Sequence, residues 1–171
     1  SLKKSSNLLI IFLFLIAGCV AQSKVQTEGD FQIKKCRTVN VNVLSQMPVC
    51  ERECQEEIEK LKNLLVEKLK QADLFEDVGS EIADSELIIN VRITELLRVT
   101  SKDRFWLGAA AGRAKVTGTV ELFDTYQNKI IGTFLVEGQS SGGTVFAGGT
   151  QQAIEKFVEQ LVHFMHEKII I

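Results

Sequence analysis

The spacing of apolar residues along this chain switches from two to 3.6, returns to two for three consecutive runs, and ends at 3.6, and few folds accept that order. Val39, Val41 and Val43 alternate with Asn40 and Asn42, the pattern of a half-buried strand. Ile58, Leu61, Leu64, Leu65 and Leu69 then recur at helical spacing within Glu51–Ala72, whose glutamate-rich start suits the positive end of a helix dipole. Leu87, Ile89, Val91 and Ile93 alternate with Asn90, Arg92 and Thr94; Val116, Val120 and Leu122 alternate with Thr117, Thr119 and Glu121. Ile130, Phe134 and Val136 follow the polar turn Asp124–Lys129, so the last two runs predict a hairpin. Gln151–Ile169 closes the series as a helix carrying Ile154, Phe157, Val158, Leu161, Val162 and Met165 on one stripe. The order β-α-β-β-β-α predicts an α+β fold, a four-stranded mixed sheet with two helices on one face. Pairing is expected to be parallel across the first helix and antiparallel in the hairpin. The opposite face, with Asn40, Asn42, Asn90, Arg92, Thr94, Thr117, Thr119 and Glu121, is expected to be wet.

The N-terminus reads as an address. Lys3 and Lys4 precede ten apolar residues, Leu8–Ala17, and then Ile16-Ala17-Gly18-Cys19. A basic start, a short apolar core and small residues before the cut form a secretory signal, and an apolar stretch spanning a bilayer needs roughly 20 residues. A cysteine directly after Ala-Gly resembles the lipobox of bacterial lipoproteins, which implies cleavage between Gly18 and Cys19 and acylation of Cys19, with palmitate as an expected chain. The expected organisation is a signal peptide over 1–18, a lipidated cysteine and flexible tether over 19–30, and one α+β domain over 31–171. At about 5–6 Å × √n, that tether holds the domain about 20 Å from its lipid. Val20 stands where aspartate would act as an inner-membrane retention signal, so the periplasmic face of the outer membrane is the expected location. Without Lys3 and Lys4 of the leader the chain has 18 basic and 22 acidic side chains, a balance of −4 that argues against nucleic acid or anionic lipid as a partner, since either favours a clustered basic surface.

Cys36, Cys50 and Cys54 would then lie in an oxidising compartment, where one disulfide with one thiol left over is the natural arithmetic. Cys36 begins the first strand and the other two lie beyond its far end, which favours Cys50 with Cys54 if the helix starts near Cys54. A later-starting strand lets Cys36 pair with either. Three thiols without a nearby histidine make an incomplete zinc set, and neither metal nor cofactor is expected. His163 and His166, at i and i+3, are read as solvent-facing helix residues. Gly138-Gln139-Ser140-Ser141-Gly142 lacks the spacing of a nucleophile elbow. Gly148-Gly149-Thr150 lacks the lysine of a P-loop, and Thr150 is expected to cap the last helix. Arg104, Phe105, Trp106, Leu107 and Phe146 stand in predicted connections, either folded over the core or exposed as a patch for a partner or membrane.

The run Arg104–Gly112, a strand ending Leu122-Phe123-Asp124, its return strand, the segment Ser140-Ser141-Gly142-Gly143 and a final helix together resemble the small bacterial lipoproteins grouped as domain of unknown function 4410. The likeness covers Phe31 to the C-terminus. It departs at Ala109, Ala110 and Ala111, where glycines are frequent in the family, and at the turn Thr125–Lys129, where Thr-Gly-Lys is common. It implies the architecture and no catalytic residue. The element order is also similar, at the level of fold, to envelope-assembly lipoproteins of the curli-secretion and penicillin-binding-protein-activator types. The expected function is a noncatalytic, lipid-anchored module that binds another envelope protein. The alternatives are a periplasmic small-ligand binder or enzyme using the glycine-rich loops, and an oligomeric subunit of a secretion pore.

Overall fold

A computed structural model of the protein describes residues 21–142 and 148–170. In chain order the elements are β1 (Gln22–Thr27), β2 (Ile33–Lys34), β3 (Thr38–Ser45), α1 (Arg52–Gln71), β4 (Asp77–Gly79), β5 (Leu87–Leu97), α2 (Ser101–Leu107), a 3-10 turn (Gly108–Ala111), β6 (Lys115–Asp124), β7 (Lys129–Gln139), α3 (Thr150–Lys168) and β8 (Ile169–Ile170). The α+β class and the four expected strands are present, but the sheet has six strands in the order β1-β7-β6-β5-β3-β4. Three described helices replace the expected two. β5 runs parallel to β3, as the crossover required, and β6 antiparallel to β7, as the hairpin required; β5 and β6 are also antiparallel. β2 and β8 form a separate parallel pair.

The largest correction falls on the expected tether. Residues 22–27 are an edge strand, antiparallel to β7 from Gln22 opposite Gln139 to Thr27 opposite Phe134. Gln-Ser-Lys-Val-Gln-Thr has no apolar alternation because all but Val25 stay exposed, and the strand is held by its main chain. The ordered domain therefore reaches almost to Cys19.

The core lies between one sheet face and the two long helices. α1 packs on β3 and β4, α3 on β7, β6 and β1, and the helices on each other. Ile58, Leu61, Leu65 and Leu69 bury the apolar stripe of α1, and Ile154, Phe157, Val158, Leu161 and Met165 that of α3. α3 presses onto β7 where Gly138 has no side chain: a Cβ there would come within 2.4 Å of the Ala153 carbonyl oxygen and the Phe157 nitrogen. At the opposite end of the sheet Phe31, Phe134 and Phe164 form an aromatic cluster, with ring centroids 4.7 Å apart for the last two. Lys168 lies 5.5 Å from the Phe31 and Phe164 ring centres and 2.7 Å from Asp30, closing the C-terminus over that cluster.

Candidate functional site

Strand register brings the N-terminus and the aromatic segment to one rim. Leu97 pairs with Lys115, Lys115 with Gln139, and Gln139 with Gln22, so the end of β5, the starts of β6 and β1 and the end of β7 form a single row. The connection from β5 to β6 crosses this rim and contains α2, a helix that no apolar period announces. Thr100 and Asp103 cap it reciprocally: Asp103 Oδ2 accepts from the Thr100 N–H and hydroxyl, both at 2.7 Å, and the Asp103 N–H donates to Thr100 Oγ1 at 3.2 Å. The Thr100 backbone hydrogen bond, then its hydroxyl, holds the Asp103 carboxyl below its usual range.

The base of α2 is tied to both long helices. Arg98 Nη1 donates to Glu53 Oε2 at 2.6 Å, linking it to the first turn of α1. Thr150 Oγ1 accepts from the Val99 N–H at 3.0 Å and donates to the Val99 carbonyl at 3.3 Å, while the Thr150 N–H donates to that carbonyl at 3.2 Å. Thr150 thus does not cap α3, as the sequence suggested. It is the first helical residue, after Gly149 in extended conformation, and its hydroxyl serves the neighbouring segment.

On this fixed base α2 turns its apolar side chains to solvent. Phe105, Trp106 and Leu107 are 77%, 72% and 58% exposed, and the Phe105 and Trp106 rings meet edge to face with centroids 5.2 Å apart. Of the two roles open to these residues, capping the core is excluded. Arg104 belongs to the same helix by its backbone. Phe146, Gly18 and Cys19 lie outside the described residues.

The remaining candidates are placed as follows. Cys50 and Cys54 form a disulfide, with Cα atoms 5.3 Å apart. The helix starts at Arg52, so only one of the two cysteines is inside it, which resolves the spacing problem of two thiols on a regular helix. Cys36 is a half-buried free thiol, its pKa pushed up to about 12 by burial and then by the Glu86 and Asp124 charges. Ser140 is buried, accepts from the Ala114 N–H at 2.9 Å and donates to the Ser141 carbonyl at 3.0 Å, joining the end of β7 to the start of β6. His163 and His166 are both exposed, with His163 3.4 Å from Glu167. Among the described residues no three His, Cys, Asp or Glu side chains gather as a metal site, and no helix is long and apolar enough to cross a membrane.

The polar sheet face is half-buried and knitted to itself. Asn40 Nδ2 donates to Asn42 Oδ1 at 3.1 Å, and Asn42 Nδ2 to Asn90 Oδ1 at 2.9 Å, a ladder across β3 and β5. Arg92 pairs with Glu121, and Lys115 with Glu95 and Glu137 at 3.0 and 3.1 Å. Hydrogen bonds to Glu95 and then Glu137 hold Lys115 above its ordinary range. A bulge between Ile93 and Glu95 keeps this alternation in step, returning Leu96 to the core side opposite Val116.

Two solved structures share the fold. A PelC dodecamer from Paraburkholderia phytofirmans matches with TM-score 0.56 at 12% identity, covering 88% of this chain and 100% of that one. A second PelC dodecamer from the same organism, carrying a leucine-to-methionine substitution, matches with TM-score 0.53 at 13% identity, covering 84% and 95%. Protein XCC0632 from Xanthomonas campestris has TM-score 0.46 at 7% identity, covering 81% and 86%. No curated protein matches in sequence. The family model described as domain of unknown function (DUF4410) matches residues 21–144, so it takes in β1 and stops short of α3, whereas the sequence likeness runs from Phe31 to the C-terminus, and the chain belongs to that family.

Proposed function

We propose that this protein is a noncatalytic module, anchored through acylated Cys19 to the periplasmic face of the outer membrane, that docks another envelope component on the rim carrying α2. The observation that carries the reading is the solvent exposure of Phe105, Trp106 and Leu107 on a helix whose base is held by Arg98–Glu53 and Val99–Thr150. A rigid mount for exposed aromatic side chains is what a binding surface needs, because ordering costs on docking are small. The leader pattern ending at Cys19 supports the anchor. Photo-crosslinking from positions 105 and 107 in intact cells tests the reading. Adducts to an envelope protein or lipid are expected, and an absence of adducts at both positions contradicts it.

The fold shared with two dodecameric structures favours a second reading, in which the module works as a homo-oligomer. Light scattering of the acylated protein in detergent decides it: a multiple of the 19.1 kDa chain mass, less the leader, supports assembly, and a monomer refutes it.

A further inference from the structure

We propose that the component docked on α2 is the bilayer itself: Phe105, Trp106 and Leu107 seat at the headgroup–acyl boundary of the membrane that holds the Cys19 acyl chains. This rests on the lipoprotein reading above. Cys19 is three residues from Gln22, and three residues span at most about 10 Å. Gln22 stands in the same row as Leu97, three strands away, or about 15 Å at the usual strand separation. With no long tether, an acylated Cys19 holds this rim, and not the opposite end with Phe31 and Lys168, against the lipid.

The chemistry of the rim fits that neighbour. Trp and Phe place an apolar body at an interface, with the indole N–H left in the wet layer. Leu97, at the end of β5, and Val49, in the segment after β3, are exposed large apolar residues at this same end. Within 101–112 the basic residues Lys102 and Arg104 stand beside the single acidic residue Asp103, in a chain that is acidic as a whole. Basic residues beside an apolar patch suit anionic headgroups. Acyl chains alone supply attachment but no orientation. A second contact at α2, carried on the β5–β6 connection and not on β1, fixes which way the domain faces, presenting the sheet edges and the opposite end to the periplasm.

Trp106 is the chain's single tryptophan, so its emission reports this site alone. The acylated full chain is reconstituted into vesicles of phosphatidylethanolamine and phosphatidylglycerol, with and without acyl-chain-brominated phospholipid, and flotation confirms attachment. Blue-shifted emission and severalfold quenching by the brominated lipid are expected. The variant F105D/L107D, altered only at exposed positions, is expected to float equally while its emission is water-like and unquenched. Equal emission with and without bromine overturns the proposal. If that unquenched emission is blue-shifted and positions 105 and 107 crosslink to a protein, the docking reading stands with a protein as occupant. If it is water-like and no crosslink forms, both fail. A protein that does not float refutes the anchor and the proposal together.

Discussion

Thr150 spends its hydroxyl on a segment 51 residues away rather than on its own helix, and the base of α2 depends on it. Replacing it by valine keeps the volume but leaves the buried Val99 N–H without its partner, a loss of about 1–3 kcal/mol. Thr150→Val is expected to lower the urea midpoint by that equivalent and to speed amide exchange at Val99, whereas Thr150→Ser retains most of both. Cys36 makes a second expectation at this scale. With its thiol pKa pushed up to about 12, chiefly by burial, almost none is thiolate near neutral pH. Iodoacetamide should label Cys36 slowly in the folded protein and fast in denaturant, while Cys50 and Cys54 stay unlabelled until reduced. Residue spacing alone favours Cys50 with Cys54, because a pair spanning a helix start needs no long-range contact. The role of Thr150 is not legible in the same way, because an N-terminal threonine looks the same whether its hydroxyl turns to its own helix or to Val99.

At the scale of elements, the close approach of α3 to β7 is set by Gly138. Any side chain there strikes the α3 backbone, not a movable group. Gly138→Ala is therefore expected to destabilise by about 1–3 kcal/mol through overpacking, read as a fall in the urea midpoint with unchanged m-value. The elements legible in the sequence are those that bury one face. The two long helices and the strands around Val41, Ile89, Val120 and Phe134 advertise themselves by period. β1 is invisible because its side chains remain mostly exposed and its energy lies in main-chain pairing with β7. β2, β4 and β8 are two or three residues long, too short for any period to show. α2 has no apolar stripe, and its one local signal is the reciprocal pair Thr100 and Asp103, three residues apart. The register that gathers Leu97, Lys115, Gln139 and Gln22 is a tertiary fact that needs the position of β1.

Across the whole molecule, carboxylates secure the places where distant segments close. The Arg37 backbone N–H, then its guanidinium, holds Glu86 below its usual range and Lys168 does the same for Asp30, while inside the turn after β6 the Gln127 backbone N–H does so locally for Asp124. A folded-state pKa below the unfolded one favours folding above the ordinary carboxylate range, and that contribution is lost as pH falls through the folded value. Thermal stability is thus expected to be flat near neutrality and to drop below about pH 4, measured by calorimetry across that range. The architecture puts the polar, self-bonded sheet face and the aromatic rim on different surfaces, and under the anchoring proposed at Cys19 the second is the one that meets the membrane. The most direct test is mass spectrometry of the N-terminal tryptic peptide from the native, membrane-extracted protein. The account predicts a peptide beginning at Cys19 and ending at Lys24, carrying a diacylglyceryl group and an amide-linked acyl chain. A peptide in which Gly18 still precedes an unmodified Cys19 would contradict it.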